Sequence, residues 1–448
     1  MYNQLFSKFL YSSYFLFINF IANILSFSHG VINGWFAPNI PVLQSEETPL
    51  RSGKIDLDET SWMGSLICIG GVIGNVAFGY LVNKIGRRKS LLICSWTTIY
   101  FGTSVYHLYC ARLLSGITGG GLYSTLPIFL AEIADNDIRG TLCSSMLLVL
   151  NFGMLIGFIM GAYLPYSMVP VIIIGFPVVY TIMAFFFHES PQYLLECKRE
   201  VEAEVAFKFY KNLKGNTKQE LREFNEEFAN LKISVRGDGT VKDIEKVTLK
   251  DFGIIITLTL MTLSQASGSF AIVNYSAKIF SDLGANVDVN VGTIIIGAVQ
   301  VLGSYAATVF VDRFGRKILL FLSSLLMAVG LISMGIFAYF AEIVDLSSLN
   351  WIPIVSLSLG IFSACLGIVP LPLVIMTEII PLKIRSISAA ISMIMLSVLA
   401  FAVLKIYPLM MFTLNVSGVM FVTGGSCVLG AIFIFFCVPE TKGKILSS

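Results

Sequence analysis

Charge is scarce in this chain. Its 448 residues include 30 Lys and Arg against 28 Asp and Glu, 13% together, where soluble proteins carry about a quarter. The net charge of +2 leaves no electrostatic footprint for a nucleic-acid partner. Histidine occurs only at His29, His107 and His188, with no zinc-binding pair among them. The eight cysteines are scattered, mostly inside apolar runs, without metal-ligand spacing, and read as small core or lipid-facing residues. Gly119-Gly120-Gly121 lies in an apolar run rather than in a phosphate loop, which removes the main argument for a membrane enzyme. Nothing in these patterns calls for a metal or a cofactor.

Apolar residues are abundant instead, at 56% of the chain, and that places the protein in a lipid bilayer. Runs long enough to cross roughly 30 Å of hydrocarbon as helices cover about 9–36, 60–82, 109–133, 142–163, 169–187, 252–280, 290–310, 318–339, 351–376, 386–411 and 418–438. A twelfth lies between Leu91 and Tyr106, and its clean apolar part, Leu91 to Phe101, reaches only about 17 Å. The expected fold is therefore an all-α polytopic membrane protein of twelve transmembrane helices in two pseudo-symmetric six-helix bundles, with the third helix shortened. Residues 1–187 form the first bundle, 188–250 a cytoplasmic linker, and 251–448 the second bundle with a short tail. The first run has no small-residue cleavage site and reads as a retained span.

Within the linker, Val201, Val205 and Phe209, then Leu221, Phe224, Phe228 and Leu231, recur at helical spacing. Thr217 with Glu220 suggests a capping box, and Arg236 to Thr240 a flexible loop. Lys and Arg cluster on alternate loops, which predicts that both termini are cytoplasmic.

One pattern is written twice. Asn83-Lys84-Ile85-Gly86-Arg87-Arg88-Lys89 returns as Asp312-Arg313-Phe314-Gly315-Arg316-Lys317, and Glu132 seven residues before Arg139 returns as Glu378 seven residues before Arg385. Arg holds carboxylates through forked hydrogen bonds, and Glu132, Glu189, Glu378 and Glu440 are the natural partners. Such pairs form a gate at the cytoplasmic ends, where topology alone would require no acids. Gly153, Gly157 and Gly161, Gly70 with Gly74, and Gly116 with Gly120 let helices approach closely.

An amide or hydroxyl in hydrocarbon is costly unless it meets a partner or a wet cavity. Asn19, Asn23, Ser28, His29, Asn33, Asn151, Ser264, Gln265, Ser267, Ser269, Asn274, Tyr275 and Gln300 are such groups, almost all uncharged. That inventory suits a neutral polyhydroxy solute, and interhelical bonding is the competing explanation for any one position. No carboxylate lies inside the first or seventh run, so movement without proton coupling is expected, His29 being the titratable alternative.

The chain resembles the sugar porter branch of the major facilitator superfamily over nearly its whole length. The resemblance rests on Gly79 to Lys89, Arg112 with Gly116, Pro127 to Gly140, Glu189-Ser190-Pro191, Gln265 with Ser267-Gly268, Asp312 to Lys317, Pro370 to Arg385 and Pro439 to Gly443. Gly34-Trp35 with Pro38, Ser61-Trp62 with Gly64-Ser65, and Asn274-Tyr275 are most similar to insect facilitated trehalose transporter-like proteins. The resemblance implies a facilitative plasma-membrane carrier of a hexose or trehalose that needs no obligatory protein partner. It makes Gln265, Tyr275 and Gln300 the first choices for solute contact, with Ser28, Asn33, Asn274 and Ser269 beside them.

The gating set is Arg87, Arg88, Glu132, Arg139, Glu189, Arg313, Arg316, Glu378, Arg385 and Glu440. The chain departs from the family at Leu147, Ser264, Phe270, Leu373 and Ser397, where sugar-contacting side chains are expected. The alternatives are a carrier of another polar solute, a proton symporter using His29, and a sugar sensor that binds without transporting.

Overall fold

The computed structural model describes residues 21, 23–96, 104–133, 139–211, 218–237, 252–283, 288–344, 346–349, 351–379 and 382–440. In hydrocarbon every backbone amide must be satisfied locally, and the apolar runs accordingly fold as helices. The first six spans hold Ile24–Gln44, Leu57–Ile85, Arg87–Trp96, Val105–Ile133, Arg139–Tyr163 and Met168–Ala184. The linker carries Pro191–Glu196, Glu200–Tyr210 and Lys218–Gly237. The second half continues with a seventh span in three pieces, Phe252–Ala266, Ser269–Asn274 and Ser276–Asp282, then Val289–Phe314 and Arg316–Ala341. The tenth span, Trp351–Ser363 and Leu371–Ile379, is joined through a π turn at Ala364–Ile368. The helix Leu382–Cys437 breaks at Asn415 into the eleventh and twelfth spans.

Several boundaries differ from the sequence expectation. The first span continues to Gln44 through Pro38 and Pro41, so part of the expected outer loop is helical. Its start, residues 9–20, lies outside the described residues, as do residue 22, 97–103 of the third span, Thr217 of the capping box and the tail from 441. Of the third span, the described part is the helix Arg87–Trp96, which runs up to the residues outside the described set. In the linker, Val201 and Val205 face outward, while Ala203, Ala206 and Tyr210 form the buried face of their helix. Two alanines allow closer helix contact than two valines, and the larger aromatic Tyr210 anchors the end. Arg236 and Gly237, expected in a loop, lie in a helix instead; residues 238–240 lie outside the described set.

Within the first bundle the second span packs on the fourth and the first on the fifth. The glycine stripes account for this closeness: a Cβ on Gly70 would meet the Leu113 carbonyl, and one on Gly153 the Phe27 carbonyl. In the second bundle the ninth span packs against the helix that makes the eleventh and twelfth. The bundles meet where the second span touches the eleventh, the fifth the eighth, and the first the seventh.

Candidate functional site

The repeated motif builds one device twice. Gly86 and Gly315 hold φ of +97° and +84°, a region where a side chain is strained, and each turns one span directly into the next. After Gly86, Glu189 Oε1 accepts from the backbone N–H groups of Arg87 and Arg88, both at 2.9 Å. After Gly315, Glu440 accepts from Arg316 N–H at 3.0 Å and Lys317 N–H at 3.2 Å. In each case a carboxylate from a distant segment meets the positive N-terminus of a helix.

The arginine of each turn then reaches a second carboxylate. Arg87 Nη2 and Nε donate to Glu132 Oε1 at 2.7 Å and Oε2 at 2.9 Å, and Ser190 Oγ closes on the same carboxylate. Arg316 Nε donates to Glu378 Oε1 at 2.9 Å. Each arginine also donates to the carbonyl five residues back, Val82 or Val311. Both clusters tie elements of their own half together. Arg313 is exposed at the same end, and the side chains of Arg139 and Arg385 lie outside the described set. Nearby, burial and then Arg88 hold the His188 imidazole below its usual pKa range.

The end remote from these clusters, called outer below, is where side chains of the two bundles interlock. Lys405 of the eleventh span donates to Asp58 at 2.6 Å and Ser61 at 2.7 Å on the second, and its ammonium lies 4.1 Å from the Trp62 ring centroid. Phe401 meets Trp62 one turn deeper, and Phe36 of the first span meets Tyr275 of the seventh edge-on. Midway along, Asn151 Nδ2 donates to Ser304 Oγ at 2.5 Å between the fifth and eighth spans.

The Lys405 contact is a latch whose strength is limited by water, because the Asp58 side chain is 72% exposed. Exposed ion pairs contribute roughly 0.2–1 kcal/mol. Asp58→Asn or Lys405→Met should therefore raise the outer-open population only about 1.4- to fivefold, read as labelling of a Phe401→Cys reporter. Exchanging the charges, Asp58→Lys with Lys405→Asp, should restore the wild-type labelling rate.

The seven expected solute contacts divide by whether their polar atoms are already used. Tyr275 is buried, donates its hydroxyl to the Leu404 carbonyl at 3.1 Å and stacks on Tyr407. Asn274 donates to the Phe270 carbonyl, and Ser269 pairs with Ser267. By contrast, Ser28 Oγ, Asn33 Oδ1, Gln265 Oε1 and Gln300 Oε1 are buried without a protein partner. A buried polar atom left unpaired costs about 1–3 kcal/mol, so a group of them marks a place that something else must satisfy.

These four lie on elements that face across the bundle interface. Gln300 shares a helical face with Gly297, whose Cα abuts Phe158 of the fifth span, and with Ser304, which bonds Asn151. Gln265 precedes the break at Gly268, where φ of +72° ends the first segment of the seventh span. Asn33 Nδ2 and His29 Nε2 lie 3.1 Å apart, leaving His29 Nδ1 unpartnered.

Arg112 was missed as a site residue by sequence reasoning that attended only to carboxylates in the first and seventh spans. It is 4% exposed on the fourth span, donates Nε to the Met63 carbonyl at 2.9 Å and lies 4.1 Å from the Phe36 ring centroid. Its Nη1 and Nη2 are unpartnered. The signal was present: a lone arginine inside an apolar run. Among the described residues no group of three His, Cys, Asp or Glu side chains is placed to hold a metal.

A many-spanned helical chain whose halves meet at Lys405–Asp58, Asn151–Ser304 and Phe36–Tyr275, with unpartnered buried oxygens on the first, seventh and eighth spans, has the build of a multi-pass membrane transport protein. The chain belongs to the sugar (and other) transporter family, whose model matches residues 16–448. It is 29% identical over 424 residues to the facilitated trehalose transporter Tret1 of Polypedilum vanderplanki, covering 93% of this chain and 83% of that one. It is 31% identical over 406 residues to Tret1 of Drosophila virilis, covering 89% of this chain but only 44% of that longer protein.

Among solved structures, the inward-open xylose transporter XylE from E. coli matches with a TM-score of 0.78 at 21% identity, over 96% of this chain and 98% of that one. XylE solved as a proton:xylose symporter bound to 6-bromo-6-deoxy-D-glucose matches with a TM-score of 0.74 at 22% identity, over 97% and 98%. The fold is thus the twelve-helix, two-bundle fold of the major facilitator superfamily. Membership of a transporter family sets the chain apart from enzymes.

Proposed function

We propose that the protein is a uniporter for a neutral sugar, a hexose or trehalose, working by alternating access. The observation that carries this reading is the set of unpartnered, uncharged oxygens on Ser28, Asn33, Gln265 and Gln300. Amide and hydroxyl groups suit a solute rich in hydroxyls, and the relatives named as facilitated trehalose transporters support that choice. In this reading the sugar bridges groups of both bundles, and its binding energy is what lets the outer latch exchange for an inner closure.

The Arg and Glu clusters act at the inner end. Arg87 and Arg88 with Glu132 and Glu189, and Arg313 and Arg316 with Glu378 and Glu440, form the gate there, their bonds made when the inside is closed and broken when it opens, with Arg139 and Arg385 part of the same set. The division into residues 1–187, 188–250 and 251–448, a plasma-membrane location and cytoplasmic termini belong to the same proposal. No cofactor or obligatory protein partner enters it.

A proton-coupled reading draws on His29, whose unpartnered Nδ1 and neighbour Arg112 lie between the first and fourth spans. One experiment separates the two. Uptake of glucose, trehalose, fructose and a polyol into proteoliposomes is measured with and without an imposed pH gradient. Equilibration of glucose or trehalose at a gradient-independent rate is expected. Accumulation driven by the gradient would replace uniport by symport, and no movement of any of the four would end the sugar reading.

A further inference from the structure

A polar cavity lies at the outer end, and none of the four unpartnered groups lines it. It measures about 540 Å³, within the range of about 300–1,000 Å³ usual for small-molecule sites. Its polar lining comes from three separate parts of the second bundle: Lys278 and Asp282 at the end of the seventh span, Glu342 after the ninth, and Asn415 at the break between the eleventh and twelfth. Pro408 and Phe412, one turn apart on the eleventh span, supply an apolar wall, and Phe412 is 75% exposed. Leu57, next to the latch residue Asp58, completes the rim from the first bundle.

The polar groups are partly engaged with one another and keep spare capacity. Lys278 Nζ donates to Asp282 Oδ1 at 2.8 Å, and Asn415 Nδ2 donates to Glu342 Oε1 at 3.1 Å. An ionised carboxylate has room for about four hydrogen bonds and an ammonium offers three donors, so each pair can still bind. Asn415 sits at φ +57°, a region costly for any residue but glycine, and such strain persists where the surroundings hold it and clusters at ligand clamps. Here the Glu342 bond holds it, with the amide at the cavity wall.

We infer that this cavity is an outer vestibule site for a neutral polyhydroxy solute, filled before the central site opens to it. The lining carries both signs: Asp282 and Glu342 disfavour an anion, and Lys278, paired with Asp282, offsets part of their pull on a cation. A sugar has hydroxyls for both carboxylates, oxygens for Lys278 and Asn415, and a C–H face for Phe412. The cavity adjoins the closed latch, since Lys405 lies one turn from Pro408 and Asp58 follows Leu57. A solute held there is already at the seam when the bundles part.

The inference rests on the sugar reading for its ligand, and binding and transport are therefore measured separately. Radiolabelled trehalose and glucose are titrated onto the full chain in lipid nanodiscs, and the same preparations are tested for uptake in liposomes. Wild type is expected to bind two sugars per chain. Asp282→Ala with Glu342→Ala should leave one, and Gln300→Ala should weaken the other about 5- to 100-fold without changing the vestibule site. Phe412→Ala, which touches no charge, should weaken the vestibule site at least about fivefold without changing the central one. One sugar per wild-type chain, unchanged stoichiometry in the double variant, or an N-linked glycan on Asn415 of the Asn415-Val416-Ser417 sequon would overturn the site. Wild type that moves no sugar yet loses one bound sugar in the double variant would end the transport reading and uphold the vestibule.

Discussion

Arg87→Ala should cost the fold about 3–5 kcal/mol, the typical loss when one partner of a buried ion pair is removed and the other charge is left in place. The side chains of Arg87 and Glu132 are only 4% and 7% exposed, so Glu132 has little water to turn to. The pseudo-equivalent Arg316→Ala should cost nearer about 1 kcal/mol, because Arg316 and Glu378 are 15% and 24% exposed and water can partly replace the lost donor. Thermal unfolding of the purified variants in detergent, with ligand absent, checks the order. Equal losses from the two arginines would show that local burial does not set their contributions. Adding Glu132→Gln to Arg87→Ala should recover part of the loss by removing the stranded charge. Recovery would identify desolvation, rather than lost packing of the Arg87 stem, as the main cost.

Gln300→Ala and Gln265→Ala should each lower the kcat/KM for sugar uptake by about 5- to 100-fold, which corresponds to about 1–3 kcal/mol at tenfold per 1.4 kcal/mol. Surface abundance should stay near wild type, since neither Oε1 is bonded to the protein and its removal leaves no new orphan. Tyr275→Phe should behave differently. Its hydroxyl is spent on the Leu404 carbonyl, so the change should act mainly through the outer closure and leave solute affinity within about threefold. Uptake measured across a concentration series, with surface protein quantified in parallel, distinguishes these patterns. Wild-type kinetics for both glutamine variants would place the solute elsewhere.

The contrast between Gln300 and Tyr275 shows where sequence reasoning reached its limit. Both were marked by the same argument, a polar group in an apolar run, and by the same resemblance. Whether that group is free depends on what stands opposite, and for Tyr275 this is a carbonyl 129 residues away. The linker shows the same limit on a smaller scale. Its helical period was legible, but whether the Val201 face or the Ala203 face turned inward depended on how closely the neighbouring helices could pack. The latch lay further out of reach, because Lys405 and Asp58 are 347 residues apart and neither belongs to a repeated motif. Arg112 was the exception, legible and overlooked.

The primary structure alone gave an apolar, multi-span chain, the positions of most spans, the internal duplication and the four acids, Glu132, Glu189, Glu378 and Glu440, offered as partners for the repeated arginines. These follow from local composition and short spacings, because hydrocarbon forces each segment to satisfy its own backbone and glycine-centred turns repeat the same geometry wherever they occur. Packing in three dimensions decided which polar atoms are left unpaired, which charges are stripped of water, and that the outer seam is held by Lys405 on Asp58. Those properties belong to surfaces that meet only after helices far apart in the chain have come together, so no window of residues contains them.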